Sequence, residues 1–260
     1  MKVVILVGGF GTRIFEESVN KPKPMVEIGE KPIIWHIMKY YSTFGFNEFI
    51  LCLGYKKDFI INYFDSDKEY KTIHRDLSIN QSYFSYCNIN ENWDIILVDT
   101  GFDTMTGGRL KHIKPLLNNE TFLLTYGDTL SNIDISKLLK FHKDHKVLAT
   151  LTTVHPVSNY GVLSFDENQI LVSSFIEKPL ETSKWINAGF YVIEPEVINF
   201  IDDDKTSFEK EPIKKIVELK KLAAFKHTGF WISIETLKDK ITMNNLWESS
   251  TVPWKIWDKN

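Results

Sequence analysis

Short apolar runs alternate with stretches of helical periodicity along the first half of the chain. Continuous apolar runs of four to six residues are typical of parallel strands that are buried on both faces. They predict strands at Val3–Val7, Phe49–Leu53, Ile95–Val98, Phe122–Thr125 and Ala149–Val154. The stretches between them predict helices at Ile33–Phe44, Lys57–Phe64, Gly108–Leu116 and Ile135–His145. Strands separated by helices favour βαβ units, and therefore an α/β fold with a doubly wound, mainly parallel sheet.

The second half of the chain has a different rhythm. Apolar runs at Val162–Phe165, Ile170–Phe175 and Phe190–Ile193 follow one another closely, which predicts antiparallel or mixed strands added at a sheet edge. Helices are predicted at Glu196–Ile201, Pro212–Lys220 and Thr236–Trp247. Three of the seven tryptophans (Trp247, Trp254 and Trp257) fall near the C-terminus, so we expect this tail to pack on the body or on a neighbouring subunit.

Composition excludes several classes of protein. The 260 residues are 43% hydrophobic and 25% charged, which is ordinary for a globular domain and excludes disordered, collagen-like and coiled-coil chains. The formal net charge of −3 is not typical of a nucleic-acid-binding protein, which would show a basic stripe or a strongly basic pI. The first apolar stretch, Val3–Val7, is too short for a signal peptide or a membrane span. Cys52 and Cys87 form no metal-binding pattern, so we expect two free thiols in a reducing cytoplasm.

A glycine-rich loop follows the first predicted strand, in the segment Leu6-Val7-Gly8-Gly9-Phe10-Gly11-Thr12-Arg13. Glycine lets backbone N–H groups approach a ligand closely, and loops after parallel strands are where open α/β sheets bind ligands. The segment is not a Walker loop, because no Gly-Lys-Ser/Thr follows, and its G-G-x-G spacing is a poor dinucleotide fingerprint. A tight turn explains one or two glycines, whereas three glycines followed by an arginine favour phosphate binding.

The segment Asn20-Lys21-Pro22-Lys23-Pro24-Met25 is the second candidate. Its two prolines predict a stiff, extended segment, and lysine is a compact cation that suits a phosphate group. A solvated Lys-Pro turn is the alternative interpretation. The nearby glycine loop favours a role in phosphate binding.

Two acidic residues are candidate metal ligands. Asp128 ends the apolar run Thr121–Asp128, and a carboxylate at the edge of a sheet suits Mg²⁺, which takes one or two protein carboxylates together with phosphate oxygens. The alternative is that Asp128 caps a helix or forms a turn. Glu235 is the second candidate, although the first turn of a helix favours Glu in any case. The segments around Glu177-Lys178 and Asn187 are either structural or suited to a ligand with hydroxyl and phosphate groups.

Together these motifs resemble those of the sugar-phosphate nucleotidyltransferases, also called sugar-nucleotide pyrophosphorylases. The broad family is marked by Leu-Val-Gly-Gly-Phe-Gly-Thr-Arg at 6–13 and by Lys-Pro-Lys-Pro-Met-Val-Glu-Ile-Gly at 21–29. Its cytidylyl-transferring branch is marked by Val-Asp-Thr-Gly at 98–101, Met-Thr-Gly-Gly-Arg-Leu-Lys at 105–111 and Pro-Trp-Lys-x-Trp at 253–257. Thr-Tyr-Gly-Asp at 125–128, Glu-Lys-Pro at 177–179 and Ile-Asn-Ala-Gly-Phe at 186–190 complete a resemblance that runs nearly end to end.

The resemblance implies one Rossmann-like domain over residues 1–260, with a nucleotide-binding part at about 1–130 and a β-rich sugar-binding part with the tail at about 131–260. It implies transfer of CMP from CTP to a sugar 1-phosphate, most closely α-D-glucose 1-phosphate, by a cytoplasmic homo-oligomer that uses Mg²⁺. The product of this branch usually supplies dideoxy-sugar synthesis for surface polysaccharide such as lipopolysaccharide O-antigen.

The resemblance also implies a role for each matching residue. Arg13, Lys23 and Asp128 would be catalytic. The nucleotide would lie on Leu6, Val7, Gly8, Gly9, Gly11, Thr12, Arg13, Lys23, Thr104, Arg109 and Gly127. The sugar phosphate would lie on Tyr160, Gly161, Glu177, Lys178 and Asn187, and the metal on Asp128 and Glu235. The family usually has Asp where this chain has Glu235, and Ser158-Asn159-Tyr160-Gly161-Val162 differs from the usual Arg-Phe-Gly-Ala of the branch.

Three alternatives remain open. The same chemistry could use UTP or dTTP, or another sugar phosphate. A glycosyltransferase also builds on a nucleotide-binding α/β core and often holds its metal with Asp-x-Asp, but Asp202-Asp203-Asp204 is better interpreted as a solvated helix end. A nucleotide-binding module that has lost catalysis is the third, and it would bind nucleotide without releasing pyrophosphate.

Overall fold

The structure is a computed structural model that describes residues 1–9, 21–77, 82–155, 162–166, 168, 170–176 and 184–258. Its strands are β1 Val3–Leu6, β2 Glu27–Ile28, β3 Lys31–Pro32, β4 Glu48–Leu53, β5 Tyr70–Leu77, β6 Ser82–Asn88, β7 Trp93–Asp99, β8 Phe122–Tyr126, β9 Thr129–Ser131, β10 Ala149–Val154, β11 Val162–Phe165, β12 Val172–Ile176, β13 Ile186–Ile193, β14 Leu222–Lys226 and β15 Trp231–Ser233. Its α-helices are α1 Ile33–Ser42, α2 Lys57–Ser66, α3 Thr106–His112, α4 Ile135–His145, α5 Glu211–Glu218 and α6 Leu237–Glu248. Short 3₁₀ helices span Lys23–Met25, Lys114–Leu117 and Pro195–Phe200.

Nine of these strands form one mixed sheet in the order β14-β10-β13-β8-β1-β4-β7-β6-β5. Strands β8, β1, β4 and β7 run parallel at its centre, while β13 and β6 run antiparallel to their neighbours. Strand β1 has β4 on one side and β8 on the other. The strand order therefore changes direction at β1, and a crevice at the carboxyl ends of β1 and β8 is where such sheets bind ligands.

Helices cover both faces of the sheet, so the central strands are buried on both sides. Within β1 and the residue after it, Val3, Ile5 and Val7 belong to one hydrophobic cluster, whereas Val4 and Leu6 belong to another. This two-sided burial explains why the central strands are continuous apolar runs in the sequence. The predicted mixed α/β fold with a mainly parallel sheet is confirmed.

Two sequence predictions about the second half are wrong. The run at 190–193 belongs to β13, which lies inside the sheet between β10 and β8 rather than at its edge. The runs near 162–165 and 170–175 form a separate two-stranded hairpin, β11–β12. Local turns predict which segments are strands, but the position of a strand in the sheet depends on contacts between distant segments. The edge strands of the sheet are instead β14, which pairs with β10 in parallel, and β5.

The C-terminal tail packs against α1 and against the segment that precedes α1. Trp254 is fully buried, and its ring stacks on Phe230 with centroids 5.6 Å apart. Trp247 lies 4.8 Å from the ring of His36, and Asn244 Oδ1 accepts a hydrogen bond from the Gly29 N–H at 2.9 Å. The tail therefore supports the segment that carries the Lys-Pro-Lys-Pro motif. Across the described residues, none of the helices is long and apolar enough to cross a lipid bilayer.

Candidate active site

A cavity of about 580 Å³ opens at the carboxyl ends of β1 and β8. This volume is within the usual range for small-molecule sites. Every predicted site residue that belongs to the described part of the chain lines it, namely Leu6, Val7, Gly8, Gly9, Lys23, Thr104, Arg109, Gly127, Asp128, Asn187 and Glu235. The fold thus brings together residues that are up to 229 positions apart in the sequence, from Leu6 to Glu235.

Close backbone contacts form the floor of the cavity. The Gly127 N–H donates to the carbonyl of Leu6 at 3.0 Å, which joins the loops after β8 and β1. A Cβ at Gly127 would lie 2.7 Å from Val7 Cγ1 and 2.9 Å from Pro24 Cγ. Only glycine therefore lets the Lys-Pro segment, the glycine loop and the Asp128 loop meet at this point.

Lys23 and Asp128 form an ion pair inside the cavity, with Nζ 3.3 Å from Oδ2. Their side chains are 11% and 25% exposed, so the charges are largely removed from solvent while still facing the cavity. Lys23 begins the 3₁₀ helix Lys23–Met25, and the Met25 N–H donates to the Pro22 carbonyl at 2.8 Å. The predicted extended conformation is therefore wrong here. Pro24 fits a first helical turn because its missing N–H has no partner to lose there.

A second carboxylate enters the same cavity from a different segment. Strand β15 pairs with β9, and the Ile234 N–H donates to the carbonyl of Asp128 at 2.9 Å. This hydrogen bond places Glu235 and Asp128 on neighbouring parts of the wall, although they are far apart in the sequence. Within the described residues, the structure has no group of three or more His, Cys, Asp or Glu side chains arranged to hold a metal ion. Asp128 and Glu235 offer two carboxylates from adjoining segments of the wall, which suits Mg²⁺ when phosphate oxygens and water complete its shell.

Arg109 is a buried cation that connects the glycine loop to the ends of two strands. Its guanidinium donates to the carbonyls of Leu53 at 2.7 Å, Gly101 at 2.9 Å and Gly8 at 3.0 Å, and to Thr100 Oγ1 at 2.7 Å. The side chain is 4% exposed, and burial lowers the pKa of Arg109. A Cβ at Gly8 would lie 2.4 Å from this guanidinium. Arg109 therefore fixes the position of Gly8 as well as lining the cavity.

Asn187 lines the cavity from an irregular part of β13. Strand β10 pairs Leu151 with Tyr191 and Thr153 with Asn187, so β13 has two extra residues between these pairs. Gly189 adopts a φ of 81° in this bulge. The Gly189 N–H donates to Asn187 Oδ1 at 2.9 Å, and Asn187 Nδ2 donates to the hydroxyl of Tyr191. The bulge therefore sets the position of the Asn187 amide at the cavity wall.

Several predicted site residues lie outside the described residues. They are Gly11, Thr12 and Arg13 of the glycine loop, and Tyr160, Gly161, Glu177 and Lys178 of the sugar-binding part. Their roles stay predictions.

Sequence reasoning missed other residues that line the cavity. Tyr126 and Thr106 stand within motifs that were noted at 125–128 and 105–111, but neither was assigned a role. Trp231 also lines the cavity, and its Nε1 donates to the carbonyl of Ala188 at 2.8 Å. The sequence signal for Trp231 is its position: it is an aromatic residue four positions before Glu235, at the start of a short apolar segment that ends at this polar residue.

Comparisons with known proteins agree over nearly the whole chain. The model of the family described as Nucleotidyl transferase matches residues 2–250. A glucose-1-phosphate cytidylyltransferase from Salmonella typhi is 44% identical over 265 residues, which cover 99% of this chain and 100% of that relative. A probable glucose-1-phosphate cytidylyltransferase from Bacillus subtilis is 41% identical over 260 residues, with the same coverage. The crystal structure of HddC from Yersinia pseudotuberculosis has a TM-score of 0.67 and 28% identity, and covers 95% of this chain and 99% of that one.

Proposed function

The chain belongs to the nucleotidyl transferase family, and from this premise we propose that it transfers CMP from CTP to α-D-glucose 1-phosphate. A phosphate oxygen of the sugar phosphate forms a bond to the α-phosphorus of CTP. The bond from that phosphorus to the oxygen that bridges to the β-phosphate breaks, and pyrophosphate leaves with the bonding electrons. The products are CDP-glucose and pyrophosphate. The identity of 44% to a glucose-1-phosphate cytidylyltransferase over 99% of the chain supports the choice of substrates.

The observation that carries the proposal is the Lys23–Asp128 pair in the cavity at the end of β1. A cation and a carboxylate lie 3.3 Å apart in a cavity that Gly8, Gly9 and Asn187 also line. A triphosphate bound at the glycine loop would place its phosphates against Lys23, while an acceptor at Asn187 would approach from β13, which β8 separates from β1. Attack and departure in line require such an arrangement.

The reaction needs no general base. A phosphate monoester has a second pKa near 6, so the attacking oxygen is ionised at neutral pH. Catalysis then depends on positioning and on the neutralisation of charge that moves onto the leaving pyrophosphate. Lys23 neutralises part of that charge, and Gly8 and Gly9 offer backbone to the phosphates. Arg13, from the same motif, is the proposed second cation on the triphosphate.

Asp128 and Glu235 are the proposed ligands of Mg²⁺. Both are hard oxygen donors on the wall of one cavity, and the backbone hydrogen bond between Ile234 and Asp128 holds their segments together. When bound, Mg²⁺ would supply positive charge to the phosphate oxygens. Lys23 holds Asp128 in place in this structure, so the carboxylate is already directed into the cavity.

We also propose that the enzyme is a cytoplasmic homo-oligomer whose product serves surface-polysaccharide synthesis such as that of O-antigen. The described cysteines, Cys52 and Cys87, are free thiols, which fits a reducing compartment. Light scattering on the purified chain measures the oligomeric state directly.

The test measures pyrophosphate release with Mg²⁺ across CTP, UTP, dTTP, ATP and GTP, each with and without glucose 1-phosphate. We expect release only when CTP and glucose 1-phosphate are both present. Release with UTP or dTTP instead of CTP would contradict the cytidylyl assignment. Binding of CTP without release would show that the site does not transfer the nucleotidyl group to this acceptor.

Two lysines of the same motif provide a matched pair of variants. Lys23→Ala should reduce kcat by a factor of about 100 or more, since removal of one preorganised charge contact typically has that effect. Lys21 is 49% exposed, pairs with Glu27 at 2.7 Å and does not line the cavity, so Lys21→Ala should keep near-normal turnover. Equal activity of the two variants would remove Lys23 from the mechanism.

A further inference from the structure

A chain of hydrogen bonds runs from the Asn187 amide to Glu209, which the sequence analysis did not single out. Asn187 Nδ2 donates to the Tyr191 hydroxyl, the hydroxyls of Tyr191 and Tyr126 lie 3.3 Å apart, and the Tyr126 hydroxyl donates to Glu209 Oε1. The other oxygen of Glu209 accepts from Thr106 Oγ1 at 2.6 Å and from Ser207 Oγ at 2.8 Å. Glu209 thus connects the start of α3 with both tyrosines.

The groups at the two ends of this series of hydrogen bonds, the Glu209 carboxylate and the Asn187 amide, determine which group donates in each bond. A carboxylate only accepts hydrogen bonds, so Tyr126 donates to Glu209 and its oxygen is available to accept from Tyr191. The Tyr191 oxygen then accepts from the amide nitrogen of Asn187. At the other end the Gly189 N–H is a donor and requires the amide oxygen of Asn187. Both ends therefore select the same orientation of the amide.

Burial keeps the two tyrosine hydroxyls protonated, so the chain persists at neutral pH. Tyr191 is 1% exposed, and burial raises its pKa to about 12. Burial also raises the pKa of Tyr126 above its ordinary value, as do the nearby Tyr191 and Glu209. The Tyr126 ring is held in place over Gly189, where an added Cβ would lie 2.5 Å from Cδ2.

These hydrogen bonds use only some of the donors and acceptors of the Asn187 amide. A primary amide has two N–H donors and an oxygen with two lone pairs. Tyr191 takes one donor and Gly189 takes one lone pair, so one donor and one acceptor remain on a side chain that lines the cavity. The remaining N–H donor and the remaining oxygen lone pair can each form a hydrogen bond with a hydroxyl group of a sugar.

We propose that Glu209, Tyr126 and Tyr191 are positioning residues, which orient Asn187 and so determine how the acceptor sugar is held and distinguished from its epimers. The inference rests on the proposed function, because it takes the sugar phosphate as the ligand of Asn187. Tyr126 also lines the cavity, whereas Glu209 does not line it and reaches Asn187 through the two tyrosines. The three residues together link the wall of Asn187 with Thr106, at the start of α3.

The test uses Tyr191→Phe, which removes one hydroxyl and keeps the ring. We expect KM for glucose 1-phosphate to rise about tenfold with kcat and KM for CTP within twofold of the wild type, since a lost orienting hydrogen bond has this size. The preference for glucose 1-phosphate over galactose 1-phosphate should fall by a similar factor. Tyr86→Phe is the matched control, because Tyr86 is buried and donates to a carboxylate, Asp65 Oδ1 at 2.9 Å, away from the cavity.

A double-mutant cycle separates positioning from general stabilisation. If Tyr191 acts through Asn187, Tyr191→Phe should have no further effect on KM in an Asn187→Ala background. Glu209→Gln keeps one accepting oxygen and should retain more sugar affinity than Glu209→Ala. Additive effects of Tyr191→Phe and Asn187→Ala, or an equal rise in KM for CTP, would overturn the proposal.

The outcomes also separate this inference from the proposed function. A wild-type enzyme that forms no CDP-glucose refutes the proposed function. The affinity for each sugar phosphate is then measured by calorimetry on the wild type, Tyr191→Phe and Tyr86→Phe. A loss of affinity confined to Tyr191→Phe supports the positioning role, and equal affinities of all three proteins refute it.

Discussion

Acidification should destabilise this protein through one buried histidine, His36 of α1. Its side chain is fully buried and surrounded by tryptophans of the tail, with the Trp247 centroid 4.8 Å away and those of Trp254 and Trp257 at 6.3 Å. His36 Nε2 lies 2.9 Å from the carbonyl of Ile28, so the neutral ring carries its proton on Nε2 and donates it there. Protonation would place a full charge inside this aromatic cage.

The pKa of His36 is lowered from 6.5 to about 4, mainly by burial and also by the positive charge of Lys255, while hydrogen bonding to the backbone of Ile28 and Lys31 opposes the shift. A depressed pKa means that the unfolded chain takes up the proton at a higher pH than the folded chain. The stabilising contribution is therefore complete above pH 6.5 and is lost as the pH falls towards 4. The difference between these pKa values corresponds to about 3 kcal/mol over the whole window, of which about 1 kcal/mol is lost by pH 5.5.

The assay is urea-induced unfolding at a fixed protein concentration, followed by tryptophan fluorescence at pH 7.5, 6.5, 5.5 and 4.5. It compares the wild type with His36→Gln, because a glutamine amide can donate to the Ile28 carbonyl but does not titrate. Carboxylates titrate equally in both proteins, so the difference between their free energies of unfolding isolates His36. We expect the wild type to lose about 2.5 kcal/mol relative to the variant between pH 7.5 and 4.5. A difference in the free energy of unfolding that stays constant over this range would show that His36 does not titrate differently in the folded and unfolded chains.

Three further predictions concern the site and its support. Asp128→Asn should reduce turnover by a factor of about 100 and raise the Mg²⁺ concentration needed for half-maximal rate, because it removes the charge that a cation requires; an unchanged Mg²⁺ titration would exclude Asp128 as a ligand. Trp254→Ala should lower the free energy of unfolding by about 3–5 kcal/mol, as for other large buried aromatic residues, and a loss under 1 kcal/mol would show that the tail packs weakly. Gly8→Ala should impair nucleotide binding because its Cβ would lie 2.4 Å from the Arg109 guanidinium, whereas Gly45→Ala, which meets no atom within 4 Å but has a φ of 83°, should affect stability alone. Equal nucleotide affinities of these two variants would contradict the role given to Gly8.

The candidate site was predicted largely from residues that stand next to glycine at the ends of apolar runs. Gly8, Gly127 and Asp128 follow strands directly, and the carboxyl ends of neighbouring parallel strands meet at one edge of a sheet. Local sequence is therefore enough to predict that these loops converge. Lys23 was predicted from its charge between two prolines, although its 3₁₀ turn was not.

The support of the site was not predictable in the same way. Glu209 stands in an ordinary polar segment, and only the fold places its carboxylate against Tyr126, 83 positions away. Arg109 was assigned to the nucleotide by resemblance, but its contacts with Leu53 and Gly8 depend on how α3 packs under the sheet. Such contacts join segments that are far apart in the sequence, and the periodicity of apolar and polar residues does not indicate that these segments will meet.

Apolar runs, glycine loops and charged motifs are local properties of the chain, so they predict the class of fold, the family and the chemical groups around the cavity. No local pattern predicts the place of β13 inside the sheet, the orientation of Asn187 or the burial of His36 beneath the tail. These three features depend on hydrogen bonds and packing between segments that are distant in the sequence, and such contacts form only when the chain folds.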